Sequence, residues 1–409
     1  MDIQKINQIF DDTAYVRMGG SEEELKCAEY LKSVCEEFGV TAEIQAFPVE
    51  MATIHQAQLI VDGKEIPCKG YFNAGSTTVE APFYYLGSTD PFSLEGCKGK
   101  IVMIDGYLGI WRFEDLMEYG AVGVITYDGN VNYTDRDIDQ RELRGYVSKG
   151  RKLPGVNINV KDAVELVNSG AKTAKIVLEQ DEYMGSSHNV VVDIPGELDE
   201  YITLSAHYDS TSLSQGAYDN MSGSVGIIGI AEYFTKHPHR YGIRMVLCGS
   251  EERGLLGSKA YVEQHPEEIA KTVLNINLDM IGSIMGKFIA CVTGEEKMCH
   301  YIEYFGNEMG FGISARQDVY SSDSTPFADA GVPAISFARI APPPAGTIHN
   351  SYDTKALMSA EQMAKDIDFI CAFTDRMANA VRIPIKRTMP DNMKERLDEY
   401  LGRKRPKNA

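Results

Sequence analysis

From about residue 186 to 385 the chain alternates apolar strand-type runs with helical ones, and this alternation constrains the fold more than any other feature. Tyr201–Ala206, Ile243–Cys248, Thr272–Leu278, Phe288–Val292 and Val332–Phe337 are short and apolar. Met221–Phe234, Leu255–Gln264, Lys297–Met309 and Ala360–Val381 carry helical spacing between and after them. Strands with no polar face need cover on both sides. The pattern therefore predicts an α/β fold with a mixed, mostly parallel central sheet and helices on both faces. In such sheets ligand chemistry gathers beyond the carboxyl ends of the strands.

The rest of the chain has a different texture. Glu22–Phe38 places Leu25, Ala28, Leu31, Val34 and Cys35 on one helical face and stops at Gly39. A strand is expected from Thr41. Between residues 51 and 185 the runs are short strands with turns, interrupted by helical stretches near Arg112–Tyr119 and Asp162–Asn168. This reads as a strand-rich α+β insert. Residues 1–50 and 186–385 then form one domain around the insert 51–185, and 386–409 form a basic tail. That tail carries eight Lys/Arg and four acids; its run Arg403-Lys404-Arg405-Pro406-Lys407 could be read as a basic anchor, and a frayed, solvated terminus is the expectation for so short a run.

Composition enters as a filter. The 409 residues hold 40 Lys+Arg against 59 Asp+Glu, a formal net charge of −19, which argues against a nucleic-acid partner. No apolar run nears the roughly 18–20 residues of a membrane span. Met1-Asp2-Ile3-Gln4-Lys5 lacks the basic and apolar regions of a secretory signal. Eight cysteines with no Cys-x-x-Cys pair suggest reduced thiols, and a cytoplasmic location is expected. The triplets Asn132-Tyr133-Thr134 and Asn220-Met221-Ser222 fit the glycosylation pattern, incidental without a secretory route.

The strand ends are where the chemistry lies. Tyr201–Ala206 runs into His207-Tyr208-Asp209, and Tyr218-Asp219-Asn220 precedes the next helix. Ile243–Cys248 leads to Glu251-Glu252, Thr272–Leu278 to Asp279, and His349 comes before the last long helix. Each has a plain explanation alone: Asp219 as a helix cap, the glutamates in a first helical turn, His207-x-Asp209 as a surface pair. Together, five carboxylates and two histidines at sheet ends would repel one another unless cations lie between them. Imidazole and carboxylate donors suit Zn²⁺. Two ions sharing one carboxylate, with another carboxylate left as general base, would account for the set. No cysteine lies in these loops.

Five segments carry a family resemblance: Ser205-Ala-His207-Tyr-Asp209-Ser, Gly216-Ala-Tyr-Asp219-Asn-Met-Ser222-Gly223, Ser250-Glu251-Glu252-Arg-Gly254, Asn277-Leu-Asp279-Met-Ile-Gly and Ile348-His349-Asn-Ser-Tyr-Asp353-Thr. In this order they resemble the co-catalytic di-zinc aminopeptidases, the bacterial leucyl aminopeptidase and aminopeptidase Y-like enzymes related to glutamate carboxypeptidase. The resemblance implies a zinc-exopeptidase fold, two Zn²⁺ ions and peptide substrates with a free N-terminus. It implies His207 and Asp279 on one ion, Glu252 and His349 on the other, and Asp219 bridging them, with a cis peptide to Asn220. Glu251 would be the general base toward water activated between the metals, and Asp209 the acid that orients His207. The insert resembles a protease-associated domain through Gly99-Lys-Ile-Val-Met-Ile-Asp-Gly, Met117-Glu-Tyr-Gly-Ala-Val-Gly and Leu153-Pro-Gly-Val-Asn-Ile. One departure stands out: many relatives carry histidine where this chain has Ser324, after Asp323, which bears on substrate contacts.

Three rivals share the residues. A carboxypeptidase of the same metal chemistry would need a cation for the substrate carboxylate, with Arg316 and Arg339 as candidates. A receptor-like binding protein without catalysis would not need intact ligands. A single-zinc glutaminyl cyclase would not need Asp219 and both glutamates. The run Arg339-Ile-Ala-Pro-Pro-Pro-Ala-Gly346 is expected to shape the site.

Overall fold

A computed structural model describes residues 1–343 and 345–406. Pro344 of the proline run and Lys407 of the basic run lie outside the described residues. The chain divides into two compact units, Met1–Phe47 with Ser186–Lys404, and Pro48–Gly185 with Arg405 and Pro406.

The first unit is built on a sheet ordered Ser314–Gln317, Lys287–Thr293, Ala334–Ile340, Thr272–Leu278, Leu198–His207, Tyr241–Cys248 and residues 190–194. Leu198–His207 runs parallel to both neighbours, with His207 beside Cys248 and Ser205 beside Asn277. Lys287–Thr293 against Ala334–Ile340 and residues 190–194 against Tyr241–Cys248 are antiparallel. The chain leaves the central strand toward Tyr241–Cys248 on one side and returns as Thr272–Leu278 on the other. That reversal opens a crevice at the carboxyl end of Leu198–His207, where its loop residues face no crossing connection.

Apolar burial explains the order. All eight residues of Tyr241–Cys248 are buried, as a central strand covered on both faces requires. The helix Ser222–Phe234 is buried on nearly every side, which suits its Gly/Ala/Ile composition. The helix Ala360–Ala378 starts where Ser359 accepts from Gln362 N at 3.2 Å. It packs Phe369 and Phe373 against Phe288, Phe305 and Phe337. Each such ring contributes roughly 1.5–3 kcal/mol by burial.

The second unit has its own core. Residues 83–86, Ile101–Ile104, Gly123–Asp128 and Gly155–Asn159 pair in parallel, with helix Ile110–Glu118 between the second and third and helix Val160–Ser169 after the last. Ile101, Val102, Val124, Val156 and Ile158 are fully buried there.

Two expectations need correction. The strands at the expected boundaries are continuous: Ala42–Val61 and Thr173–Ile194 run through residues 50 and 185. Residues 181–184 are exposed in succession, so no alternation marks them as strand. The described part of the tail is also not frayed. Asp391–Tyr400 is a helix that buries Met393 and Leu397 against Ala328, Ala334 and Met389. Arg403 then forms a two-armed ion pair with Asp329. The high charge of this segment hides a short apolar stripe spaced at helical intervals.

Candidate metal centre

Every site residue expected from the sequence lies at the crevice end of the first unit's sheet. His207 is the last residue of the central strand, 1% exposed, and its Nε2 faces Asp219 Oδ1 at 3.2 Å. The same nitrogen lies 3.9 Å from Glu251 Oε2 and 3.9 Å from Asp279 Oδ1. Across the crevice His349 Nε2 lies 3.1 Å from both Asp219 Oδ2 and Glu252 Oε2. One carboxylate, Asp219, thus shows one oxygen to each histidine. His207, Glu251 and Asp279 converge with ligand atoms within 4.8 Å of one another, and Asp219, Glu252 and His349 do the same. His349 is the exposed member at 31%, which marks the solvent side.

Local structure holds each loop. Asp219 and Asn220 have non-helical dihedrals inside a distorted helical turn, Ala217–Met221, and are joined by a cis peptide bond. The Asn220 side chain donates to Leu278 O at 3.0 Å and accepts from Gly223 N and Met280 N at 2.9 and 3.0 Å. It therefore ties the Asp219 loop to the Asp279 loop. Gly223 is required here, because a Cβ would lie 2.1 Å from Leu278 O. Asn220 is fully buried, so the second glycosylation triplet offers no accessible acceptor.

Asp209 is buried completely. Its oxygens accept from Glu251 N at 2.9 Å and Glu252 N at 3.2 Å, while His207 Nδ1 stands 3.4 Å away. The carboxylate thus fixes the backbone of the two glutamates as well as facing the histidine. Ser250, Met280 and His349 all adopt positive φ, a conformation that costs non-glycine residues about 1–3 kcal/mol and gathers at functional sites. Ser250 is held by a 2.8 Å hydrogen bond with Ser187 Oγ.

Electrostatics follow from burying so much charge. Burial pushes the Glu251 carboxyl well above its ordinary range, with His207 opposing and Glu252, Asp323 and Asp279 reinforcing. Burial and the Asp219 charge push Asp279 up to about 7. Asp219 moves the other way: burial raises it, but the contacts with His207 and His349 outweigh that and hold it below the carboxylate range. Burial lowers both histidines, yet the carboxylates around them hold each well above its ordinary value. The cluster draws in positive charge. Asp279 Oδ1 is buried with no hydrogen-bond partner, so its lone pairs are free for an ion. Oxygen and imidazole donors in two groups around one shared carboxylate fit a pair of divalent ions.

Four further groups support the site without having been assigned a role from sequence. Asp353 accepts from Tyr218 N at 2.8 Å and Asp219 N at 3.1 Å. Asp323 is fully buried, and burial pushes it to about 6. Glu24 accepts from Tyr208 OH at 3.2 Å and from His188 N at 3.2 Å. Arg17, 0% exposed, donates to the carbonyls of Thr13, Tyr15, Tyr208, Gln215 and Gly216. Asp353 and Asp323 sit inside motifs that were visible. Arg17 and Glu24 had no signal, since their partners are distant in sequence.

The α/β sheet thus carries, at its switch point, two donor groups that could each hold a metal ion. Residues 189–374 match the profile of Peptidase family M28. The chain is similar to aminopeptidase YwaD of Bacillus subtilis, 26% identical over 78% of this chain and 71% of that protein. It is also similar to leucine aminopeptidase 2 of Arthroderma otae, 32% identical over 46% of this chain and 38% of that one. Its fold matches the solved zinc aminopeptidase of Bacillus subtilis with a TM-score of 0.76, over 96% of this chain and 97% of that one at 23% identity. The aminopeptidase from Aneurinibacillus sp. strain AM-1 matches at 0.75, over 94% and 96% at 23% identity.

Proposed function

We propose that this protein is a zinc-dependent exopeptidase that removes N-terminal amino acids from peptides. The observation that carries the reading is Asp219, with one oxygen 3.2 Å from His207 Nε2 and the other 3.1 Å from His349 Nε2. That division splits the donors into two sets around a shared carboxylate. The relatives named as aminopeptidases support the substrate class. His207 and Asp279 would hold one ion, Glu252 and His349 the other, and Asp219 both. Bound zinc supplies Lewis-acid polarisation of the scissile carbonyl and acidifies water.

The protein's own residues do the rest. Glu251, raised by burial among like charges, accepts a proton from the attacking water and returns it to the departing amine. Asp209 holds the Glu251 and Glu252 backbone in place throughout. The acidic rim favours a substrate that presents a cationic α-amine. The cytoplasmic setting rests on eight unpaired thiols. Among the described residues no helix is long and apolar enough to cross a membrane. A protease-associated character for the second unit rests on its parallel strands and the three segments quoted above.

The carboxypeptidase reading lacks its cation. Arg339 is committed to Asp366 through hydrogen bonds of 2.8 and 2.6 Å, and Arg316 is exposed on the edge strand Ser314–Gln317. The test is mass spectrometry of peptides with free or acetylated N-termini and free or amidated C-termini, with chelator and after zinc is restored. Peptides with a free N-terminus should shorten one residue at a time whatever their C-terminus, and only with metal. Trimming of acetylated peptides from the C-terminus would overturn the proposal.

A further inference from the structure

Asp353 lies four residues beyond His349 and is completely buried. Its carboxylate accepts from Tyr218 N at 2.8 Å through Oδ1 and from Asp219 N at 3.1 Å through Oδ2, and Ser214 Oγ donates to Oδ2 at 3.3 Å. The arrangement repeats the one Asp209 makes with the amides of Glu251 and Glu252. In both places a buried carboxylate receives two consecutive backbone N–H groups of a dipeptide that carries site carboxylates. Such charge-assisted pairs are short and directional, and two of them fix both the position and the tilt of the peptide.

The two clamps differ in what they connect. Asp209 joins the loop after the central strand to the glutamate pair. Asp353 joins the His349 loop to Asp219, and these are two of the three donors in one group. The Asp353 N–H donates to Asn350 O at 3.2 Å, closing a tight turn that begins at the residue after His349. Fixing Asp353 against Tyr218 and Asp219 therefore fixes His349 against Asp219. His207 and Asp279 have separate supports, Ser224 Oγ on His207 O at 2.8 Å and Phe337 O on Asp279 N at 3.1 Å.

We propose that Asp353 is a positioning residue that sets the separation of Asp219 and His349, and through it chiefly the zinc affinity of the site that His349 serves. The proposal rests on the two-ion reading above. An asparagine at 353 keeps one acceptor and turns an N–H donor toward the other amide, while preserving shape. Outer-shell partners of metal ligands are typically worth about 10–100-fold in metal affinity.

The experiment is stepwise zinc titration of the metal-free protein against a competing chelator, with metal-free Tm measured alongside. The wild type should bind two ions. Asp353→Asn should weaken the His349-side step by about 10–100-fold and the other step by less, because Asp219 serves both. In a His349→Ala background, where only the His207 side retains its set, adding Asp353→Asn should weaken the remaining step by less than it weakens the His349-side step of the otherwise wild-type chain. Ser214→Ala, which removes a single donor from Asp353, should weaken the same step by less and serves if Asp353→Asn folds poorly. Met393→Ala, remote from the site, should lower Tm with both steps intact. Equal weakening of both steps, or a lower Tm with both steps at wild-type strength, would overturn the role of Asp353. A wild type that binds only one ion would overturn the two-ion reading and this proposal with it.

Discussion

Glu251 and Glu252 are neighbours in sequence with different partners. The strand ends at Cys248, and Ser250 takes a positive φ before the pair. The two glutamates therefore sit in a turn, and their side chains diverge from it: Glu252 reaches His349 at 3.1 Å, while Glu251 stays 3.9 Å from His207. Glu251 also stands within ligand distance of Asp279 and His207, so geometry alone would admit it as a ligand. The proposed role as general base rests on its burial among other acids, which pushes its carboxyl well above the ordinary range. Glu251→Gln keeps the shape and removes the basicity. It should retain both zinc ions by elemental analysis and lose about 10²–10⁴-fold in kcat, the usual worth of a general base. Loss of one zinc equivalent would instead make Glu251 a ligand.

At the scale of elements, the C-terminal helix Asp391–Tyr400 shows how packing overrules composition. Its segment is basic and polar, yet Met393 and Leu397 are 1% and 2% exposed against Ala328 and Ala334. Truncating either to alanine should cost about 2–5 kcal/mol in denaturant unfolding, whereas a solvated tail would lose nothing measurable. The strands and helices of residues 198–378 were readable because their apolar periodicity is strong, and Thr272–Leu278 and Lys297–Met309 fall where the pattern put them. Short elements were not readable. Ser314–Gln317 offers only four residues, and Ser324–Asp329 begins with residues that also form turns. His207 and Asp279 were legible because each sits at or just past a strand end, and Asp219, Glu252 and His349 because their chemically distinctive side chains fall in the loops that follow such strands. Asp353 was quoted within its motif but its partners were not, because its hydrogen bonds go to backbone 134 and 135 residues away. Backbone recognition leaves no complementary residue in the sequence to find.

For the whole molecule, the buried acids and histidines couple folding, protons and metal. Asp279 is raised to about 7, Asp323 to about 6 and Asp353 to about 7, each chiefly by burial. Glu251 and both histidines are raised as well. Between about pH 4, where unfolded carboxyls titrate, and about 7, the folded metal-free chain therefore binds more protons than the unfolded chain. Stability must then fall as pH rises through this window. Asp219 is shifted down, so its contribution is lost only as pH falls below about 4, outside the window. Zinc reverses the slope. It needs neutral imidazole and ionised carboxylate, so its binding displaces those protons and strengthens as pH rises. The stabilisation it adds, about 4 kcal/mol at a thousandfold excess over Kd, grows with it. Melting the chelator-treated protein between pH 5 and 7.5 should show a falling Tm, and zinc-loaded protein a widening advantage. The net charge of −19 produces a parallel trend through surface repulsion. Salt separates the two, because exposed charges are screened within about 3–10 Å at 0.1–1 M while buried ones are screened much less. A gap between metal-free and zinc-loaded Tm that persists and widens with pH at 0.5 M salt locates the effect in the buried cluster. A gap that stays flat with pH would remove proton displacement from the binding step.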